Sequence, residues 1–504
     1  MKRLPIYLIA LLIASGLCSC NQKNPDDGKQ PDTPDTHVDP VPEETKDIAI
    51  WTTTFDKSRD FEKSYASFGK PNSMSPYVVK FTGENFQTVE GFGLAVTQAS
   101  CYNLLKMSAE DRTRVLTELF SPTEGAGSSL IRVCIGGSDF SMDEFTWCDT
   151  KGIEHFGVHK LDVDYLFPIL DEIYKINPDV QIIGSPWSSP RWMKMDLDGK
   201  GNSFNSWTSG RLNPLYYQDY STYFVKWIQE MESRGYKILG ITLQNEPLNK
   251  GNSMSLYMPW EDQCAFLKVV GPAIKAAGLS TKILLFDHNY NYDNISDQSR
   301  YPIHIYDDPE ATQWAAGSAW HNYGGSVSEL DYIASKAPGK EIWFTEASIG
   351  TWNYDYNGFS GQLFEDMNGI IFGTLQRGGK GVTLWNLMLD DQRKPYRPGG
   401  CSTCYGALGI SSSTYSYASV DRKSHWYDIA HPSVAAKPGA VRIGTSGYTA
   451  DKLSYMAFRN PDGSYGILAT NESSEDRQLV FATDAHSAKI DIPARSVVSA
   501  LWKD

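Results

Sequence analysis

Ile241-Thr-Leu-Gln-Asn-Glu-Pro247 reads as a short buried strand that runs up to Gln244, presents Asn245 and Glu246 at its tip, and is ended by Pro247. A strand tip is an unusual place for a carboxylate, because Glu is rarely buried unless it is paired or used. Two readings are open for Glu246: a satisfied ion pair at the rim of a sheet, or a catalytic acid. Which one holds depends on whether the rest of the chain supplies a partner.

Outward from that strand, apolar runs recur with helix-length stretches between them. They are Thr88 to Val96, Ser129 to Ile135, Val180 to Trp187, Ile238 to Leu243, Lys282 to Phe286, Ser318 to Tyr323, Glu341 to Thr345 and Gly381 to Leu387. The intervening segments Tyr165 to Ile176, Tyr217 to Met231, Glu261 to Ala277 and Leu363 to Gln376 repeat apolar residues at three and four, the helical period. The gap after Phe286 carries the weakest such pattern. Strands alternating with helices in this way predict an α/β fold, a (β/α)8 TIM barrel. An open doubly wound sheet fits less well, since no Gly-rich phosphate loop follows the first strand.

The ends of the chain have another rhythm. Short strand-like runs fill the region after Pro438, with Pro461-Asp462-Gly463 as a hairpin turn, and similar short runs lie between Asp47 and Phe81. Neither set is large enough alone, so the two are expected to combine into a side β-sandwich domain. The predicted division is therefore 47–81 and 438–504 for the side domain and 82–437 for the barrel.

Residues 1–19 have the layout of a secretory signal peptide: Lys2-Arg3, an apolar run from Ile6 to Leu17, then Leu17-Cys18-Ser19-Cys20, which resembles a lipoprotein cleavage box with Cys20 taking the lipid. Residues 20–46 are rich in Pro, Asp, Glu and Thr and read as a disordered acidic tether. An exported bacterial lipoprotein on the outer membrane is expected, leaning to the cell surface. The chain of 504 residues is 41% hydrophobic and 12% aromatic, and 46 basic against 60 acidic residues leave a net charge of -14. With no basic run, nucleic acid is excluded as a partner. Beyond Cys18 and Cys20 the cysteines are scattered, and Cys401-Ser-Thr-Cys404 alone is a local disulfide candidate rather than a zinc signal. No partner chain is called for, and a monomer is expected.

Barrels of this kind carry their chemistry at the C-terminal ends of the strands. The polar and aromatic residues there are Arg132, Asp139, Trp187, Asn245, Glu246, Asp287-His288-Asn289, His321, Tyr323, Glu346, Trp385 and Asn386. Glu346 closes Glu341-Ile-Trp-Phe-Thr-Glu346, a second strand that ends in a carboxylate. Two facing carboxylates are what glycosidic cleavage needs: about 5–5.5 Å apart for retention of configuration, about 6.5–9.5 Å for inversion. Trp187, Tyr323 and Trp385 suit the apolar faces of sugar rings, and Asp139, Asn245 and Asn386 their hydroxyls.

Taken in order, Gln87-Thr-Val-Glu-Gly-Phe-Gly93, Leu119-Phe-Ser-Pro-Thr-Glu-Gly125, Arg132, Asp139-Phe-Ser141, Ser185-Pro-Trp-Ser-Ser-Pro-Arg-Trp-Met-Lys194, Gln244-Asn-Glu-Pro247, His321-Asn-Tyr323, Phe344-Thr-Glu346, Trp385-Asn386 and Pro438-Gly-Ala-Val-Arg-Ile443 resemble glycoside hydrolase family 30. Leu94 and Val96-Thr-Gln98 depart from the family's usual first loop. The resemblance implies a retaining double displacement with Glu246 as acid/base and Glu346 as nucleophile, and no metal or cofactor. It places Arg132, Asp139, Trp187, Asn245, His321, Tyr323 and Trp385 around the terminal sugar. The stretch from Gln244 to Trp260 and the Cys401 to Cys404 loop are more similar to the family's endo-β-1,6-glucanase branch. An exo-acting β-glucosidase or glucosylceramidase is the alternative within the family. A non-catalytic surface glycan-binding lipoprotein is the alternative outside it, and having both carboxylates argues against that. The insertion from Asp391 to Tyr405 is expected to lie beside the site and wall it.

Overall fold

The computed structural model describes residues 46–352 and 359–504. The readings of a signal peptide, of lipid attachment at Cys20 and of an acidic tether fall outside the described residues. Eight parallel strands close into a barrel: Gly91–Ala95, Leu130–Cys134, Gln181–Ser185, Lys237–Thr242, Lys282–Asn289, Gly317–His321, Glu341–Glu346 and Gly381–Leu384, the last pairing with the first. Spatial order follows chain order, and runs such as Leu130-Ile-Arg-Val-Cys134 are buried throughout, as a parallel sheet covered on both faces requires.

Outside the barrel, helix Tyr217–Ser233 buries Tyr220, Phe224, Trp227 and Met231, spaced by four, three and four. Gly184 lets that helix approach, since a Cβ there would lie 2.7 Å from the Trp227 ring. The weak pattern after the fifth strand corresponds to a helix of only six residues, Tyr301–Tyr306. The expected helix Leu363 to Gln376 is interrupted by a π-helical segment, Met367–Phe372.

Inside the barrel the side chains change character with height. Leu130, Ile183, Leu284, Ala319 and Trp343 form an apolar layer. Two residues further along the same strands, on the same face, stand Arg132, Ser185, His321 and Thr345. The fifth strand reaches this polar level by a bulge. Its register shifts between Phe286 and His288, with Phe286 and Asp287 at φ 69° and 72°. The extra residue turns Phe286 out into the surrounding core and brings Asp287 into the barrel.

The second layer of the molecule is one hydrogen-bonded array of nine strands drawn from both ends of the described chain. Ile48–Thr54 pairs with the final strand Ser496–Trp502, and Val78–Val89 pairs with Ala440–Gly447. The array folds over on itself: Phe81 stacks on Tyr465 at 4.6 Å and Phe481 meets Trp502 at 5.4 Å, although neither pair lies on adjacent strands. Ile48, Val79, Ile467, Leu479, Ile490 and Val498 fill the interior.

The apolar run read as a single strand from Thr88 to Val96 is in fact split. Thr88 and Val89 pair with Val441 and Ala440 in the sandwich, and the barrel strand starts only at Gly91, whose φ of 150° redirects the chain. Helix Ser424–Ala435 is buried along its whole length between the two layers. His431 on that helix bonds Ser499 and Thr53 of the sandwich at 3.0 and 2.8 Å, and burial brings its pKa down to about 3, so it acts as a neutral link.

Candidate active site

Asp287 organises the C-terminal end of the barrel. It is fully buried and accepts hydrogen bonds from Arg132 Nη2 (2.8 Å), Ser185 Oγ (3.1 Å), Thr242 Oγ1 (2.7 Å), Thr345 Oγ1 (2.7 Å) and His321 Nε2 (3.0 Å). Burial alone would raise its pKa, but Arg132 and His321 hold it well below the usual carboxylate range. With the anion fixed, Arg132 and His321 are locked in place and turn their remaining donors outward.

Arg132 Nη1 donates to Glu346 Oε2 at 2.5 Å, and Arg132 Nη2 also reaches Asn245 Oδ1 at 2.8 Å. Its guanidinium lies 5.0 Å from the Trp187 ring. The Tyr323 hydroxyl donates to the other oxygen of Glu346 at 3.0 Å and meets Ser348 Oγ at 3.1 Å. Glu346 is thus held by two donors that suit a carboxylate. Burial and the nearby Glu246 raise its pKa, while His321 and Arg132 oppose that rise.

Glu246 sits at φ 44°, a left-handed conformation that costs a non-glycine residue roughly 1–3 kcal/mol. The turn is fastened by its N–H on the Asp287 carbonyl at 3.0 Å and by the Asn249 N–H on its own carbonyl at 2.9 Å. Its side chain accepts from Asn249 Nδ2 (2.8 Å) and Asn252 Nδ2 (3.1 Å) and faces His321 Nδ1 at 3.4 Å. Burial pushes the Glu246 carboxyl up, but His321, His288 and Asn249 more than offset this and hold it below the usual carboxylate range. Against its own burial, His321 is lifted to about 9 by Glu346, Asp287 and Glu246. The two shifts run in opposite directions, so across their 3.4 Å contact the imidazole is favoured over the Glu246 carboxyl as the proton's holder. One oxygen of Glu246 and one of Glu346 lie within 4.8 Å of each other.

Both carboxylates open onto a cavity of about 320 Å³. Asp139, Trp187, Asn245, Tyr323 and Trp385 line it with them. The Trp187 and Trp385 rings lie 5.1 Å apart. Burial, then Glu346 and Glu246, push Asp139 up to about 8, which favours its neutral, proton-donating form. The insertion forms one wall through Gly399, Gly400 and the disulfide Cys401–Cys404. It is docked by the Arg397 N–H on the Asp139 carbonyl at 2.7 Å and by Gly400, where a Cβ would come within 2.9 Å of Asp139 Cβ.

Three residues expected to touch sugar do not line the cavity. Arg132 and His321 lie behind the carboxylates and act on them. Asn386 is fully buried at φ 58°, and its Oδ1 accepts from Thr97 Oγ1 at 2.6 Å, so the turn after Trp385 points it away from the cavity and into the barrel wall. Sequence reasoning noted Asp287 only as one of several strand-end residues, because its bulge has no sequence signature. It missed Asn249, Asn252, Ser348 and Trp352 altogether. Trp352 is 47% exposed at the cavity's edge, in a loop with no periodic pattern to flag it.

A closed parallel barrel with paired carboxylates at its C-terminal rim defines the class of barrel glycosidases. The chain belongs to glycosyl hydrolase family 30: the family's TIM-barrel domain matches residues 89–433 and its beta sandwich domain residues 439–500. It is 49% identical to a solved endo-beta1,6-glucanase, covering 91% of this chain and 99% of that one with a TM-score of 0.87. It is 32% identical to an endo-1,6-beta-D-glucanase of Trichoderma harzianum over 82% of this chain and 84% of the relative. It is 25% identical to the lysosomal acid glucosylceramidase of Mus musculus over 83% of this chain and 82% of the relative.

Proposed function

We propose that the protein is a retaining endo-β-1,6-glucanase in which Glu346 is the nucleophile and Glu246 the acid/base. The observation that carries the reading is the approach of the two carboxylates to within 4.8 Å. That spacing suits direct attack by one of them, whereas an inverting pair about 6.5–9.5 Å apart leaves room for a water. The β-1,6 linkage is supported by the likeness to endo-β-1,6-glucanases, one of them 49% identical.

In this reading the Glu346 carboxylate attacks the anomeric carbon while Arg132 and Tyr323 hold its oxygens in line. The proton held by His321 crosses the 3.4 Å contact to Glu246 and passes to the departing glycosidic oxygen. This forms the glycosyl ester, breaks the glycosidic bond and leaves His321 neutral. Glu246, now ionised, takes a proton from water as that water opens the ester. Asn245 and Asp139 bind hydroxyls of the reacting sugar, and contacts of this kind accelerate the reaction if they tighten in the transition state.

Product sizes released from β-1,6-, β-1,3- and β-1,4-glucans test the assignment. Oligosaccharides from β-1,6-glucan as first products are expected. Glucose as the sole first product would replace this reading with an exo-acting β-glucosidase. We also propose export and lipid attachment at Cys20, motivated by the run to Leu17 and by Leu17-Cys18-Ser19-Cys20. Cys20→Ala should release the protein from the membrane fraction, and continued partitioning with membranes would refute the anchor.

A further inference from the structure

Away from the cavity, helices Phe359–Asp366 and Ser424–Ala435 pack against each other around ionisable side chains that the hydrolytic chemistry does not use. Asp366, His425 and Asp428 are all buried, and each presents a ligand-type atom within 4.8 Å of the other two. His425 Nε2 lies 3.2 Å from Asp366 Oδ2, and Gln362 Nε2 donates to the same oxygen at 2.8 Å. Gln362 and Asp366 are four apart on one helix, and His425 and Asp428 three apart on the other, so each pair projects from a single helical face.

The cluster is incomplete. Both oxygens of Asp428, Nδ1 of His425 and Oε1 of Gln362 have no hydrogen-bond partner, although Asp428 and His425 are 0% exposed and Gln362 is 4% exposed. Among the described residues, the ion pairs made by these two aspartates comprise only the contact from His425 to Asp366. A buried carboxylate with neither oxygen satisfied is among the most costly arrangements a core can hold. It persists where something else meets those oxygens.

We infer that Asp366, His425 and Asp428 form a structural site for one divalent metal ion of the zinc class, with Gln362 steadying Asp366 from behind. Two carboxylates and one imidazole make a three-donor set that mixes nitrogen with anionic oxygen and leaves a fourth position for water. Zinc accepts such a set in tetrahedral form, whereas calcium and magnesium prefer all-oxygen shells. The ion would neutralise the two buried carboxylates and cross-link the two helices. One of them is the helix that joins the barrel to the sandwich through His431. The site is separate from the catalytic pair.

The test uses the full chain, purified without metal resin or chelator, with its metal content measured directly. About one zinc per chain is expected. EDTA should lower the thermal midpoint by several degrees, and added Zn²⁺ but not Ca²⁺ should restore it. Asp428→Asn and His425→Gln should abolish both zinc retention and the response to EDTA while β-1,6-glucan hydrolysis at low temperature continues. A zinc-free native protein whose midpoint moves with neither EDTA nor Zn²⁺ would overturn the site. So would an Asp428→Asn variant as stable as the native protein, which would assign the cluster to a neutral carboxyl with buried water. If the variants do not fold, metal content and the chelator response of the native chain decide.

Discussion

The charged network beneath the C-terminal rim of the barrel and the interior of the sandwich are both largely buried, yet they are built from opposite chemistry. The sandwich interior is Ile48, Val79, Ile467, Leu479, Ile490 and Val498, side chains that gain by leaving water and demand nothing of one another but fit. The rim buries Arg132, Asp287, His321, Glu246 and Glu346 within one network, and holds Glu246 in a left-handed backbone conformation. Burying those charges is costly, and only their mutual contacts offset it. The sandwich is a part that stabilises. The rim is a part that other regions keep assembled, and its residues should fail in a different way when changed.

The sharpest separation of the two should come from Glu346→Gln. It should lower kcat on β-1,6-glucan by about 10⁴-fold or more while leaving the thermal midpoint near or above that of the native protein, because a strained, charged site is relaxed. A large fall in stability with activity intact would break the comparison. Glu246→Gln should cost about 10²–10⁴-fold on glucan, but far less on an aryl glycoside whose leaving group needs no proton, and azide should restore turnover on such a substrate. An equal loss on both substrates would remove the acid role.

Arg132→Met should hurt both properties. It removes one of the two cationic partners of the buried Asp287, leaving only His321 beside that anion, at a cost of up to about 3–5 kcal/mol, and it frees Glu346, so denaturant unfolding and kcat should both register it. In the sandwich, Leu479→Ala should cost about 2–5 kcal/mol and leave kcat and KM at low temperature untouched. A change in KM would mean that the two layers are coupled at the site.

The smallest effect is a slope. Burial, then Glu346 and Glu246, push Asp139 up to about 8 in the folded protein, against the ordinary carboxylate value of 3.8 when unfolded. The folded state therefore binds more protons between those values, and this contribution to stability is complete below pH 3.8 and lost as pH rises through about 8. In Asp139→Asn the thermal midpoint should fall less steeply over that window than in the native protein. A parallel pH profile would show that Asp139 is not held neutral.

The sequence carried the barrel because its period is local. Apolar runs of strand length alternate with segments such as Tyr217 to Met231, whose spacing of three and four needs no tertiary information to read. It was less reliable at junctions. Thr88 to Val96 is one apolar run in the sequence and two strands in space, because only the pairing of Val89 with Ala440 shows where the sandwich ends. Likewise, Trp385 and Asn386 look equivalent as strand-end residues, but a left-handed turn sends Asn386 into the wall.

By itself, then, the sequence determined the alternating fold, the two strands that end in Glu246 and Glu346, and the ordered motifs of the family, since each of these is a pattern along the chain. Tertiary structure alone decided that the two carboxylates approach to within 4.8 Å, that the buried Asp287 fixes Arg132 and His321 behind them, and that Glu246 faces His321 at 3.4 Å. Those are properties of distances between residues tens of positions apart, and distance, burial and the pKa values they set exist only once the barrel has closed.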